Sequence, residues 1–205
     1  MEEPIHILSV EDLSPAQIDQ LRAVSPRLII EQQPCESSAA IEQALTPQTT
    51  ILLTNAARFG LMNAPNLRWV QLTSAGVNHA YGTALWQNDI TLTNASGVHA
   101  AHLAEYVLAV ILAHAHRLPQ AQRLQARAHW PGREKGDLLM PAELRGRTIG
   151  ILGYGAIGRE VGRLAQTFGL RVLATRRTTC PPQFDGWTPA GTGDPDGSIP
   201  ARYYD

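Results

Sequence analysis

Between positions 153 and 158 the chain reads Gly-Tyr-Gly-Ala-Ile-Gly, a G-x-G-x-x-G pattern. Alone that pattern is weak, and its surroundings make it strong. Thr148–Leu152 (TIGIL) ahead of it has the make-up of a β-strand. Behind it, Ile157, Val161, Leu164 and Phe168 recur at helical spacing, Gly169 closes that helix, and Leu170–Ala174 (LRVLA) is a second strand. Strand, glycine turn, helix, strand is the context a dinucleotide fingerprint needs. Each glycine has a physical reason: Gly153 permits the tight turn, Gly155 lets a diphosphate approach the backbone, and Gly158 lets helix and strand pack closely. The helix start offers unpaired N–H groups and the positive end of a dipole to the phosphates. Gly153, Tyr154, Gly155, Ala156, Ile157 and Gly158 are therefore the candidate cofactor seat. The alternative is a glycine-rich turn in an unrelated α/β protein.

The end of the second strand bears on which dinucleotide is bound. An acidic residue about 20 residues after the first glycine would hold the ribose 2′-hydroxyl of NAD. Here the chain has Thr175-Arg176-Arg177 and no Asp or Glu. Arginine at that place suits a 2′-phosphate, so Arg176 and Arg177 favour NADP over NAD. The competing account is two arginines that merely end a strand in water.

The first hundred residues alternate strand-like and helix-like segments. Strands are read at Ile5–Val10, Arg27–Glu31, Thr49–Thr54, Arg68–Thr73 and Ile90–Asn94. Helices are read after Ser14-Pro15, with Ser14 as N-cap and Ile18 and Leu21 facing inward, and at Glu36–Leu45. Such alternation predicts parallel βαβ units. Three strand ends carry small polar residues: Thr54-Asn55, Thr73-Ser74-Ala75-Gly76 and Asn94-Ala95-Ser96-Gly97. Ligands of open parallel sheets bind beyond such ends, although these are also ordinary turn residues. Residues His99 to Leu118 read as one long helix capped by Ser96 or Gly97, and Pro119–His129 as a polar arm lying on the surface or crossing to a partner. Thr178–Asp205, rich in Pro and Gly, is assigned no regular structure.

Composition narrows the function classes. Of 205 residues, 44% are hydrophobic, enough for a core, and a net charge of -1 gives no electrostatic reason to expect nucleic acid. The longest apolar run, Val107–Ala113, is too short to span a bilayer, and the start Met1-Glu2-Glu3-Pro4 lacks the basic region of an export signal. Cys35 and Cys180 stand far apart in no motif, so a reducing, cytoplasmic setting is expected. His99 and His102 have i, i+3 spacing without an evident third ligand, and no metal site is expected.

These residues resemble the D-isomer-specific 2-hydroxyacid dehydrogenases, which include phosphoglycerate, glyoxylate/hydroxypyruvate and D-lactate dehydrogenases. Three segments carry the resemblance in order: Gln71–Asn78 (QLTSAGVN), Thr93–Tyr106 (TNASGVHAAHLAEY), and Glu143 through the glycine turn to Val172. The resemblance implies an α/β fold in two parts, a flavodoxin-like parallel-sheet substrate domain at 1–97 and the first part of a Rossmann dinucleotide-binding domain at 98–205. It implies that backbone N–H groups of Ser74, Ala75 and Gly76 hold the carboxylate of a small 2-hydroxy or 2-keto acid. Ala156 and Ile157 then face the diphosphate, His102 approaches the nicotinamide edge, and the cofactor domain builds a homodimer. The activity implied is hydride transfer between a nicotinamide and the carbonyl carbon of such an acid.

The chain also departs from the family pattern. The family's catalytic Arg, its acidic helper and its acid/base His all lie beyond the second cofactor strand, and none of the seven histidines stands in the matching place. No catalytic residue is therefore assigned in this chain. It is expected to end before a third cofactor strand, to be a fragment holding the binding half of the apparatus, and to show no turnover alone. A non-catalytic dinucleotide-binding regulatory module of the same family and an inactive remnant are the alternatives.

Overall fold

The segment from Ile5 to Thr93 forms five parallel strands, joined by helices except between the third and fourth, where residues 55–68 are irregular. In chain order these are β1 (Ile5–Ser9), α1 (Pro15–Val24), β2 (Leu28–Gln32), α2 (Ser38–Ala44), β3 (Thr49–Thr54), β4 (Trp69–Leu72), α3 (Ala84–Gln87) and β5 (Thr91–Thr93). The sheet order is β2-β1-β3-β4-β5, the flavodoxin-like winding. Ser14 starts α1 through a reciprocal capping box with Gln17. The core is built from Leu8, Leu52, Val70 and Leu72 of the strands, with Ile41 of α2 and Leu85 of α3 closing on it. Because the sheet is parallel, every strand end that carries Asn, Ser or Gly comes out on the same edge.

The structure, a computed structural model, describes residues 3–177 and 183–205. Cys180 and the Thr178–Pro182 part of the Pro/Gly-rich tail lie outside the described residues. The chain divides into two compact units, Met1–Ser96 and Gly97–Asp205. Among the described residues no helix is long and apolar enough to cross a membrane.

The second unit contains α4 (Ala100–Ala115), α5 (Leu118–Ala126), α6 (Lys135–Leu139), β6 (Thr148–Leu152), α7 (Ala156–Thr167), β7 (Arg171–Thr175) and β8 (Arg202–Tyr204). Ala104 and Leu108 of α4 are buried against Val161 of α7, with Ile149 and Ile151 of β6 beneath them. Gly169, at φ 74°, ends α7 with Leu170 N–H donating to the Ala165 carbonyl and Gly169 N–H to that of Gln166, a Schellman closure.

Four sequence expectations need correction here. A third cofactor strand is present: β8 pairs in parallel with β7, giving the order β6-β7-β8. It was hidden because Arg-Tyr-Tyr is only three residues long and sits behind prolines and glycines that argue for loop. The helix read at His99–Leu118 ends at Ala115, and the arm is itself helical as α5. The break falls at Arg117, whose φ of 55° no helix tolerates, with Pro119 opening the next helix. The start of α4 has His99 at its N-cap without a side-chain cap, in place of Ser96 or Gly97. On α7, Ile157 and Phe168 are 41% and 40% exposed, whereas Arg159 and Glu160 are 3% and 2% exposed. The helix buries more than its apolar stripe because the segment 183–201 folds against it, which periodicity alone cannot report.

Candidate functional site

The turn between β6 and α7 hangs on the end of β7. Gly153 N–H donates to Thr175 Oγ1 at 3.0 Å and Tyr154 N–H to the Thr175 carbonyl at 3.1 Å. The three glycines then differ in what they permit. Gly153 sits at φ 91°, where a side chain is strained. A Cβ on Gly158 would collide with the Gly153 carbonyl and lie 3.1 Å from Ile151 Cγ2, so this glycine sets the helix-to-strand approach. Gly155 has ordinary angles, φ −87° and ψ −160°, and a Cβ there would meet nothing within 4 Å. Its missing side chain leaves open space in front of the backbone. Among the described residues, no acceptor takes the N–H groups of Gly155, Ala156 or Ile157. Free donors, a helix start and an open approach make a cradle for an anion.

Tyr154 turns its side chain inward. Its ring is 5% exposed and its hydroxyl donates to Asp194 Oδ2 at 3.0 Å. Burial, then the hydrogen bond to Asp194, pushes this phenol well above the usual range. Asp194 also accepts from Ser198 N–H and Ile199 N–H, each at 3.0 Å, and its carbonyl accepts from Arg159 Nη1 at 2.5 Å. Arg159 lies between the rings of Tyr154 and Phe184, 5.1 and 5.0 Å from their centroids. Glu160 accepts two hydrogen bonds from Arg163, at 2.8 and 2.6 Å, and one from Gly193 N–H at 2.5 Å. Together these contacts tie the segment after β7 to the helix that begins at the glycine turn. Sequence reading missed Asp194, Arg159, Glu160 and Tyr203. The available signals were the Asp-Pro-Asp-Gly run at 194–197, a turn sequence, and the i, i+3 pair Glu160/Arg163.

The Arg163 hydrogen bonds hold the Glu160 carboxyl below its ordinary value of 4.5. A depressed folded-state value stabilises the folded chain above pH 4.5, and that contribution is lost as pH falls through the lower folded value. Thermal unfolding followed from about pH 6 to about pH 3 is expected to show a smaller acid-side loss of Tm in Glu160→Gln than in the native chain. Equal slopes for the two would remove Glu160 from the acid response.

Arg176 continues directly from β7. Its N–H donates to the Tyr204 carbonyl at 2.9 Å, and its guanidinium carbon lies 4.8 Å above the ring of Tyr203. Arg177 is exposed. His102 is exposed on α4 with its ring edge-on to His99 at 5.1 Å, and no hydrogen bond among the described residues ties it to the glycine turn.

In the first unit, the turn after β4 is held from both sides. Thr73 N–H donates to the Thr54 carbonyl, Ala95 N–H to that of Ser74 at 2.9 Å, and Asn94 Nδ2 to that of Ala75 at 3.0 Å. Ser74 Oγ closes the turn onto the Gly76 carbonyl at 2.9 Å. With the carbonyls so engaged, the N–H groups of Ser74, Ala75 and Gly76 have no acceptor among the described residues. A run of three successive N–H groups without acceptors at a strand end suits a carboxylate.

Residues 108–188 match the family described as D-isomer specific 2-hydroxyacid dehydrogenase, NAD binding domain. The chain is 33% identical over 111 residues to a D-3-phosphoglycerate dehydrogenase of Archaeoglobus fulgidus, a match covering 54% of this chain and 20% of that protein. It is 33% identical over 121 residues to a glyoxylate reductase of Aeropyrum pernix, covering 58% of this chain and 36% of that protein. A solved D-isomer specific 2-hydroxyacid dehydrogenase family protein from Aeromonas salmonicida superposes with a TM-score of 0.67 at 25% identity, over 100% of this chain and 58% of that one. The matches thus span about a third or less of these curated relatives.

Proposed function

We propose, from the match of residues 108–188 to the NAD binding domain of the D-isomer specific 2-hydroxyacid dehydrogenase family, that this chain supplies the binding apparatus of an NAD(P)-dependent oxidoreductase of small 2-hydroxy or 2-keto acids. The observation that carries the reading is the open backbone at Gly155, with the N–H groups of Gly155, Ala156 and Ile157 taken by no acceptor among the described residues at the start of α7. When bound there, a nicotinamide dinucleotide supplies the hydride acceptor or donor. Gly155, Ala156 and Ile157 donate to its diphosphate, and Gly153 and Gly158 keep the turn tight enough to do so. Arg176, assisted by Arg177, meets a 2′-phosphate, which makes NADP the preferred form. Ser74, Ala75 and Gly76 donate to the acid's carboxylate in the first unit. In this reading the protein works in the cytoplasm as a homodimer built by its cofactor domain.

Calorimetric titration of the 205-residue chain is expected to give saturable binding of NADPH and weaker binding of NADH. Arg176→Asp, which puts a carboxylate where a phosphate would sit, should reverse that order, costing NADPH about tenfold or more. A folded chain that binds neither coenzyme would end the proposal. An unchanged NADPH/NADH ratio in Arg176→Asp would remove Arg176 from it.

A further inference from the structure

Tyr203 lies in the middle of β8, and no part of the glycine motif points to it. Its register partner on β7 is Ala174, two residues before Arg176. Three contacts fix the ring. Its hydroxyl donates to the Gly197 carbonyl at 2.8 Å. Its edge packs against the Tyr154 ring at 5.7 Å, with the planes at 80°. Its face lies 4.8 Å from the Arg176 guanidinium carbon. One ring therefore touches both the aromatic residue of the diphosphate turn and the candidate 2′-phosphate arginine. Burial raises its phenol above the ordinary value, so the ring stays neutral and its electron-rich face remains available to a cation.

An arginine at a strand end loses rotamer freedom when it engages a phosphate, and a ring beneath it removes that loss beforehand. We propose that Tyr203 is the positioning residue that aims the Arg176 guanidinium and thereby sets the preference for a dinucleotide bearing a 2′-phosphate. This rests on the NADP reading of Arg176 given above. Tyr203 acts through Arg176 and touches no ligand in this role.

The test measures Kd for NADPH and NADH on the 205-residue chain carrying Tyr203→Phe, Tyr203→Leu, Arg176→Ala, and the Tyr203→Leu/Arg176→Ala pair. Tyr203→Phe keeps the ring and should keep the NADPH/NADH ratio. Tyr203→Leu should reduce that ratio about two- to fivefold, the span of an exposed cation–π contact, with NADH affinity unchanged. In the Arg176→Ala background the same leucine should change the ratio no further. Pentafluorophenylalanine at position 203 keeps the shape and reverses the polarity of the ring face. It should behave like leucine, and it carries the test if the leucine variant does not fold. Equal weakening of both coenzymes, an unchanged ratio in the leucine and fluorinated variants, or the same drop with and without Arg176 would each overturn the proposal. If Arg176→Ala itself leaves the ratio unchanged, the 2′-phosphate reading fails as well, and that result separates the two failures.

Discussion

Gly155→Val is expected to leave the chain folded and to remove dinucleotide binding. A Cβ at this position meets nothing within 4 Å, and φ −87° suits any residue, so the fold gives no reason for strain. In the proposed function the same open space takes the diphosphate that accepts from the N–H groups of Gly155, Ala156 and Ile157. Losing two charge-assisted hydrogen bonds at about 1.5 kcal/mol each already costs about 3 kcal/mol, or roughly a hundredfold in Kd. The expected result is a loss of at least that size for NADPH and NADH alike, with Tm within a few degrees of the native chain. Gly158→Ala should do the reverse. Its methyl group collides with the Gly153 carbonyl and crowds Ile151, so the damage appears first in stability, at about 1–3 kcal/mol, the usual cost of overpacking. If both variants lose stability and binding together, Gly155 is a folding residue and the diphosphate seat lies elsewhere.

Asp194→Ala should unfold the second unit more than any change on its surface. Asp194 is 4% exposed and its carboxylate accepts from Tyr154 Oη, Ser198 N–H, Ser198 Oγ and Ile199 N–H. Removing the carboxylate strands the buried Tyr154 hydroxyl and takes the acceptor from the half-buried Ile199 N–H, while Ser198 is exposed to water, and each unsatisfied buried group costs about 1–3 kcal/mol. A total of about 3–5 kcal/mol is expected, read as a large drop in Tm and early melting of the second unit in hydrogen exchange. Tyr154→Phe removes one donor and leaves Asp194 two N–H partners, so it should cost only about 1 kcal/mol. Near-equal effects of the two variants would show that Asp194 does not organise the segment after β7.

Much of this architecture was legible in the sequence, for reasons that differ between elements. Thr148–Leu152 was read with its observed bounds because a five-residue β-rich run stopped by a glycine leaves little choice. The first unit's five strands were read within a residue or two, since each is a separate apolar run between turn residues. β8 was not legible. Three residues carry too little pattern, and only pairing with β7 makes them a strand. The inward side of α7 was half legible: Val161 follows the apolar period, but Arg159 and Glu160 are buried by a segment more than thirty residues away, at Gly193 and Asp194.

Local chain chemistry by itself determined the glycine turn, the parallel α/β class and the pairing of small polar residues with strand ends. These are short-range matters of backbone freedom, side-chain period and hydrogen-bonding turns, which neighbouring residues settle among themselves. Tertiary structure alone decided which glycine is open and which is crowded, where the Tyr154 hydroxyl finds its acceptor, and that the ring of Tyr203 lies under Arg176. Those facts depend on distances between residues far apart in the chain, and such distances come into being only when the folded sheet and helix bring the partners together.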